Sequence, residues 1–324
     1  MRCLCCGKEL SADRGEDKVG WHRSCVKKFF GVSELPQIVL TNDQMEMLAR
    51  KTVAKGMTVP GVQKKISLHL SVEDGARLTL VDYPTGFIFK PQSEEFPYLP
   101  ESEALAMRMA EKSGIRTVPY ALIRMDESGY AYITRRVDRR FSFGGVLADQ
   151  MEMLAMEDFC QLARRVTADK YRSSYERCAK IINMYSSRAG LDISELFLRL
   201  VFCFVSGNSD MHLKNFSLIE TEPGNRQFVL SEAYDLLPVN LILPEDLDET
   251  AMPLCGKKRN LRRKDFLDFA QDSGLPARAA ERMIEKIISL EPMYMEECDA
   301  SYLADEWKER MKDLVKERIA RLRG

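Results

Sequence analysis

Hydrophobic and polar positions give the chain two textures. From Lys65 to Val137, short runs alternate apolar with polar residues: KISLHL, RLTLVD, GFIFKP, VPYALIRM and YAYITRRV. Their β-branched and aromatic content predicts strands. Asp74-Gly75 and DESG supply turns between them. Two helical stretches interleave. TNDQMEMLARKTVAKG is capped by Thr41 or Asn42 and stopped by Gly56; SEALAMRMAEKSG is stopped by Gly114. From about Glu157 the spacing turns helical, in MEDFCQLARRV, SYERCAKIINMYSSRAG and DISELFLRLVFCFVSG. QFVLSEAYDLLPV predicts a short strand entering a loop, and the tail, including ADEWKERMKDLVKERIARL, is helical.

This order predicts a small N-terminal tip over residues 1–35, a β-rich lobe over 36–145 and a helical lobe over 146–324, with FSFGGVLAD at the boundary. Composition adds limits. The 324 residues, 45% hydrophobic and 30% charged, suit a soluble globular protein with a substantial core. A net charge of -1 implies no general attraction to polyanions. No apolar run approaches the roughly 18 residues of a membrane span. The start, MRCLCCGKEL, has no apolar signal core, and nine cysteines then point to a reducing cytoplasm.

The tip carries its own chemistry. Cys3 and Cys6 form a C-x2-C pair on a turn permitted by Gly7, and His22 and Cys25 follow. Two close ligand pairs joined by a short loop fit a structural, tetrahedral zinc site. Cys5 competes as a ligand. A module this small has too little core of its own, so metal would supply its stability. Reduced thiols in an unstructured tag are the bland alternative.

Three further segments belong together. GMTVPGVQKK, Gly56 to Lys65, is a glycine turn where backbone can approach a phosphate, though it lacks the G-x4-G-K-[ST] pattern. Lys90 ends the apolar strand GFIFKP, where it is either a phosphate ligand or a snorkelling surface lysine. SGNSDMHLKNFSLI packs Asp210, His212, Lys214 and Asn215 behind the oily stretch ELFLRLVFCFV. Asp210 and Asn215 have the D-x4-N spacing that protein kinases use for a proton-accepting aspartate and a metal-binding asparagine. Asp235, in AYDLLP, is placed to hold a metal between phosphates. Capping and turn roles explain each residue singly; the combination favours phosphoryl transfer.

On GMTVPGVQKK, FIFKP, ESEALAMRMAEKSGIRTVP, ITRRVDRR, GNSDMHLKNFSL and AYDLLPV, the chain resembles the HipA-type serine/threonine kinases, toxins of HipBA-like toxin–antitoxin systems. Its shortness resembles the HipT-type toxins of three-gene systems. The resemblance implies an α+β, two-lobed protein-kinase-like fold, here with a zinc-ribbon-like tip. It implies ATP and Mg²⁺ as cofactors, Asp210 as base, Asn215 and Asp235 as Mg²⁺ ligands, and Lys90 on the ATP phosphates with Glu103 as its partner. Gly61, Val62, Gln63 and Lys65 fall in the family's G-x-Q-x-K glycine loop. His212 and Lys214 would brace the catalytic loop, Lys214 also reaching the transferred phosphate. Asp138, in ITRRVDRR, would lie near the adenine hinge. The family silences itself by phosphorylating a serine in the glycine loop; here Thr58 and Pro60 stand at the matching places, so Thr58 is the one candidate autophosphorylation site. Implied partners are a helix-turn-helix HipB-like antitoxin, a small HipS-like protein, and a translation-related substrate such as an aminoacyl-tRNA synthetase. DNA would be met only through the antitoxin.

GKKRNLRRK, Gly256 to Lys264, holds six basic residues and reads as a solvated charge run before it reads as an RNA dock. Met45, Met47, Met151, Met153 and Met156 read as core filler. Two rival functions are a catalytically weak kinase-fold module that uses its tip to bind a partner or nucleic acid, and a small-molecule kinase.

Overall fold

A computed structural model of the chain describes residues 1–12, 15–38, 65–71, 77–79, 86–125, 129–141 and 151–324. The predicted helix at 41–56, Thr58, Gly61, Val62, Gln63, the Asp74-Gly75 turn, Met45 and Met47 lie outside the described residues. The chain divides into two units, Met1–Ala104 with Val118–Met153, and Leu105–Thr117 with Leu154–Gly324.

The first unit is built on a six-stranded sheet of order β1-β3-β2-β4-β6-β5. Its strands are β1 (Gln37–Ile38), β2 (Ile66–Ser71), β3 (Arg77–Thr79), β4 (Phe87–Lys90), β5 (Tyr120–Met125) and β6 (Gly129–Arg135). β1 runs parallel to β3; the other pairings are antiparallel. The period-two pattern sets the register. Ile66 lies opposite Phe89, which lies opposite Ile133, which lies opposite Ala121, and all four are buried on one face. A hairpin of β7 (Arg139–Phe141) and β8 (Met151–Met153) follows.

The tip is part of this unit. Its short helices are α1 (Glu16–Val19) and α2 (Arg23–Phe30). Trp21, Phe29 and Phe30 are buried, and the rings of Phe29 and Phe30 lie 6.0 and 5.4 Å from that of Phe87, the first residue of β4. Leu122 on β5 donates its N–H to the Leu4 carbonyl at 3.0 Å. Arg135 on β6 caps the end of α2, its guanidinium donating to the carbonyls of Phe29 (2.8 Å) and Lys28 (2.6 Å). Aromatic burial thus fastens the tip to β4, the strand that ends in Lys90, and a charge-assisted cap fastens it to β6.

α3 (Leu99–Lys112) divides between the units after Ala104. The second unit continues with β9 (Met156–Asp158), α4 (Phe159–Leu162), α5 (Tyr175–Tyr185), α6 (Ala189–Ser206), β10 (Ser217–Glu220), β11 (Phe228–Leu230) and α7 (Val239–Ile242). It ends with α8 (Arg263–Asp272), α9 (Ala277–Ser289), α10 (Glu291–Asp299) and α11 (Asp305–Arg323). α6 is its axis. Phe197, Phe202 and Phe204 are fully buried and meet Phe269, Tyr294 and Phe266 at centroid distances of 6.5, 6.4 and 5.3 Å.

Two sequence expectations need correction. MEDFCQLARRV is not one helix: Met156–Asp158 is a strand paired antiparallel with β10, and only Phe159–Leu162 is helical. The edge of β10 offers backbone partners, and this tertiary pairing overrides local helical spacing. Asp158 then caps α4 in a reciprocal capping box with Gln161. Nor are the later methionines core filler: Met153 is 61% exposed, and Met151 and Met156 are only partly covered.

Candidate functional site

In the second unit, α6 stops because Gly207 takes a left-handed conformation (φ +71°) and donates its N–H to the Phe204 carbonyl at 3.3 Å. A side chain there would also meet Leu314 at 2.5 Å. The chain beyond is held tightly. Asn208 Oδ1 accepts from the Asp210 N–H at 3.1 Å, and the Asp210 carbonyl accepts from the His212 N–H at 2.8 Å. A 3-10 turn, Leu213–Asn215, follows. Asn215 Nδ2 donates to the same Asp210 carbonyl at 3.0 Å. That bond orients the amide and presents Oδ1 on its opposite side. The D-x4-N pair is therefore one hydrogen-bonded turn, and the buried side chains of Met211, Leu213 and Phe216 root it in the core.

Neighbouring segments complete this loop. Tyr171 donates its phenol proton to Asp210 Oδ1 at 2.6 Å, and its ring meets His212 edge-on at 5.0 Å. Burial, then the Asp210 charge and hydrogen bond, then Asp235 and Asp246 push the Tyr171 phenol well above its ordinary range. Negative charge is thus concentrated around one loop, a setting in which a divalent cation is favourable. Ser209 Oγ donates to Asp246 at 3.1 Å. Lys214 pairs with Asp158 at 2.7 Å, and Tyr234 donates to the Lys214 carbonyl at 3.2 Å. Asp235 has φ +61°, a conformation that costs a non-glycine residue energy and that clusters at functional sites. Asn215 Oδ1 and the Asp235 carboxylate are oxygen donors of the kind Mg²⁺ takes.

In the first unit, Lys90 and Glu103 form an ion pair of 2.5 Å with exposures of 3% and 0%. The Lys90 ammonium also lies 5.1 Å from the ring centre of Tyr132, its cross-strand partner. Of the two readings open at the sequence, the snorkelling surface lysine is excluded. Glu101, two residues before Glu103, is also buried, and burial pushes its carboxyl up to about 7. Asp138 holds Arg136 and Arg139 at 2.8 and 2.5 Å. Lys65 is exposed beside the first residue of β2.

The Cys/His set does converge. One ligand atom each from Cys3, Cys6, His22 and Cys25 lies within 4.8 Å of all the others. His22 Nδ1 is 3.3 Å from Cys6 Sγ and 3.8 Å from Cys25 Sγ, while Nε2 meets the Glu9 carbonyl at 2.9 Å. With the Nε2 proton on that carbonyl, Nδ1 keeps its lone pair toward the sulfurs, the usual outer support of a metal-binding histidine. Burial and the surrounding sulfurs of Cys5, Cys3 and Cys6 push the Cys25 thiol up, a repulsion that a dication removes. Cys5 is not one of the converging set. The residues fit a tetrahedral zinc.

Five of the six basic residues of the run carry acidic partners. Lys257, Lys258, Arg259, Arg263 and Lys264 pair with Asp265, Asp248, Asp248, Glu285 and Asp268 respectively. Residues that sequence reasoning missed are Tyr171, Asp158, Ser209 and Asp246. Tyr171 stands 39 positions from Asp210, and no local pattern marks it.

The family described as HipA-like C-terminal domain matches residues 57–292, well over half of the chain. The chain belongs to that family. A Haemophilus influenzae protein named "Putative kinase" is 26% identical over 255 residues, covering 72% of each chain. "Putative kinase Y4mE" of Sinorhizobium fredii is 27% identical over 239 residues, 72% of this chain and 54% of its own length. This HipA-like chain thus spans about half the length of the Sinorhizobium relative. Among solved structures it is similar to HipA from the Shewanella oneidensis MR-1 complex of HipA, HipB and operator DNA. There the TM-score is 0.69 and the identity 19%, over 82% of this chain and 65% of that one. It is also similar to the Helicobacter pylori proinflammatory kinase CtkA, with a TM-score of 0.50 and 13% identity over 82% and 92%. The fold is therefore the mixed α+β fold of HipA and CtkA. The Cys/His cluster precedes the family match. No helix among the described residues is long and apolar enough to cross a membrane.

Proposed function

We propose that this chain is an ATP- and Mg²⁺-dependent serine/threonine protein kinase of the HipA type, acting in the cytoplasm. The observation that carries the reading is the single hydrogen-bonded turn that joins Asp210 to Asn215, in a family whose relatives are named as kinases. The acceptor hydroxyl oxygen bonds to the γ-phosphorus, the bond from that phosphorus to the β,γ-bridging oxygen breaks, and ADP leaves. The hydroxyl proton passes to the Asp210 carboxylate. Asn215 and Asp235 hold Mg²⁺, which offsets phosphate charge. Lys90, held by Glu103, binds phosphate oxygens, and Gly61, Val62, Gln63 and Lys65 contact the nucleotide. His212 braces the catalytic loop and Lys214 reaches the transferred phosphate. Thr58 is the candidate autophosphorylation site. Residues 36–145 handle the nucleotide and residues 146–324 the metal and acceptor. Zinc on Cys3, Cys6, His22 and Cys25 is structural.

A toxin role with a HipB-like antitoxin is supported by the HipB and operator DNA in the Shewanella complex. A HipS-like partner and an aminoacyl-tRNA synthetase substrate extend the same reading. Acidic partners on five of the six basic residues of the run lower its local positive charge, which weighs against direct nucleic-acid docking there. The test is incubation with Mg²⁺ and γ-labelled ATP, alone and with cell lysate, beside Asp210→Asn. Label on protein that vanishes in the variant is expected. Equal label in both would overturn the reading.

A further inference from the structure

The loop carrying Asp210 is gripped from outside by one short segment. The Lys170 carbonyl accepts from the Leu213 N–H at 3.2 Å. The Tyr171 ring packs edge-on against His212 at 5.0 Å, with the Lys170 ammonium 4.9 Å from the ring centre. The Tyr171 phenol reaches Asp210 Oδ1 at 2.6 Å. Downstream, Tyr175 opens α5 and donates to the Met211 carbonyl at 3.1 Å, so a second residue of the same stretch holds the same loop. A carboxylate on one flexible bond rotates freely in water. Here one oxygen is tied to a donor whose own ring is fixed on two sides.

We propose that Tyr171 is a positioning residue for phosphoryl transfer: its phenol fixes the rotation of the Asp210 carboxylate that accepts the substrate proton. The inference rests on the reading of Asp210 as the base. A backbone bond, a ring contact and a hydrogen bond coincide on residues 170 and 171, which favours a permanent brace over a group that leaves when substrate arrives. Sub-ångström placement of a base matters because proton acceptance needs hydrogen-bond distance to the attacking hydroxyl.

The test compares wild type, Tyr171→Phe, Asp210→Asn and the double variant, as full-length chains, with Mg²⁺ and γ-labelled ATP and a lysate as acceptor. Phenylalanine keeps the ring contact and removes only the hydroxyl. The expected result is a kcat about 10- to 100-fold lower for Tyr171→Phe, with KM for ATP and the unfolding midpoint within error of wild type. The double variant transfers no less than Asp210→Asn alone, since a residue acting through Asp210 has nothing to position once that carboxylate is gone. A Tyr171→Phe rate within twofold of wild type overturns the inference alone. So does a loss accompanied by a matching rise in KM or fall in stability, which makes the hydroxyl structural. Absence of transfer by wild type, or full transfer by Asp210→Asn, overturns the kinase reading and this inference with it.

Discussion

Two lysine–carboxylate pairs carry the same contact in different surroundings. In the first unit Lys90 meets Glu103 at 2.5 Å, with exposures of 3% and 0%. In the second, Lys214 meets Asp158 at 2.7 Å, with exposures of 36% and 12%. Distance does not separate them; water does. A dry pair is costly to assemble, and losing one partner strands a charge in apolar surroundings. A wet pair can be broken with little loss, because solvent replaces the missing ion. Lys90 therefore sits where a rigid cation is held ready, and Lys214 where a cation can change partners. Glu101 extends the contrast within one turn of α3: it shares the burial of Glu103, and burial holds its carboxyl up to about 7.

The comparison breaks most sharply at Lys90. Lys90→Met should lower unfolding stability by about 3–5 kcal/mol and abolish label transfer. Lys90→Met with Glu103→Leu should restore much of the stability, measured by denaturant unfolding, and none of the transfer. A double variant that regains activity would show the pair to be structural only.

Glu101 comes next. Its folded carboxyl titrates near 7 against an ordinary value of 4.5, so the folded state holds a proton that the unfolded chain has released between those values. Stability should therefore fall as pH rises from about 4.5 to 7, by about 3 kcal/mol for a shift of this size. Glu101→Gln should flatten that slope in pH-dependent unfolding. An unchanged slope would place the loss elsewhere.

The tip gives a smaller effect. Chelation, or Cys3→Ser with Cys25→Ser, should remove one zinc per chain by metal analysis. The stability loss should be about 2–3 kcal/mol, as for removal of a loop-closing cross-link, with metal bound to the unfolded thiols limiting the effect. Metal content unchanged in the double variant would exclude the site.

Lys214→Met is the mildest. It should cost less than about 1 kcal/mol of stability while lowering label transfer by about tenfold if the ammonium reaches the phosphate, on the scale of one lost charge-assisted contact. Equal small effects on both would leave Lys214 a brace.

Strand positions with period-two burial were legible locally: Ile66 and Leu68, Phe87 and Phe89, Ala131 and Ile133 all carry their own evidence of an inner face. Helix α6 was equally plain, because its apolar run and Gly207 mark both its body and its end. The D-x4-N spacing and the C-x2-C and H-x2-C pairs pointed to their chemistry because their members lie within one or two turns of each other. The strand at Met156–Asp158 was not legible, since its partners are residues 217–219, some sixty positions on.

What the sequence determined by itself was therefore the local part: the periodic elements, the stops, the ligand spacings and the family pattern. All of these depend on neighbours in the chain, where backbone geometry leaves few choices. Tertiary structure alone decided the environment of each charge. It made Lys90 a dry cation instead of a surface one, matched five of the six basic residues of the run to acids, fastened the tip to β4 and brought Tyr171 to Asp210. Such outcomes depend on which distant segments exclude water or supply a partner, and no short stretch of sequence carries that information.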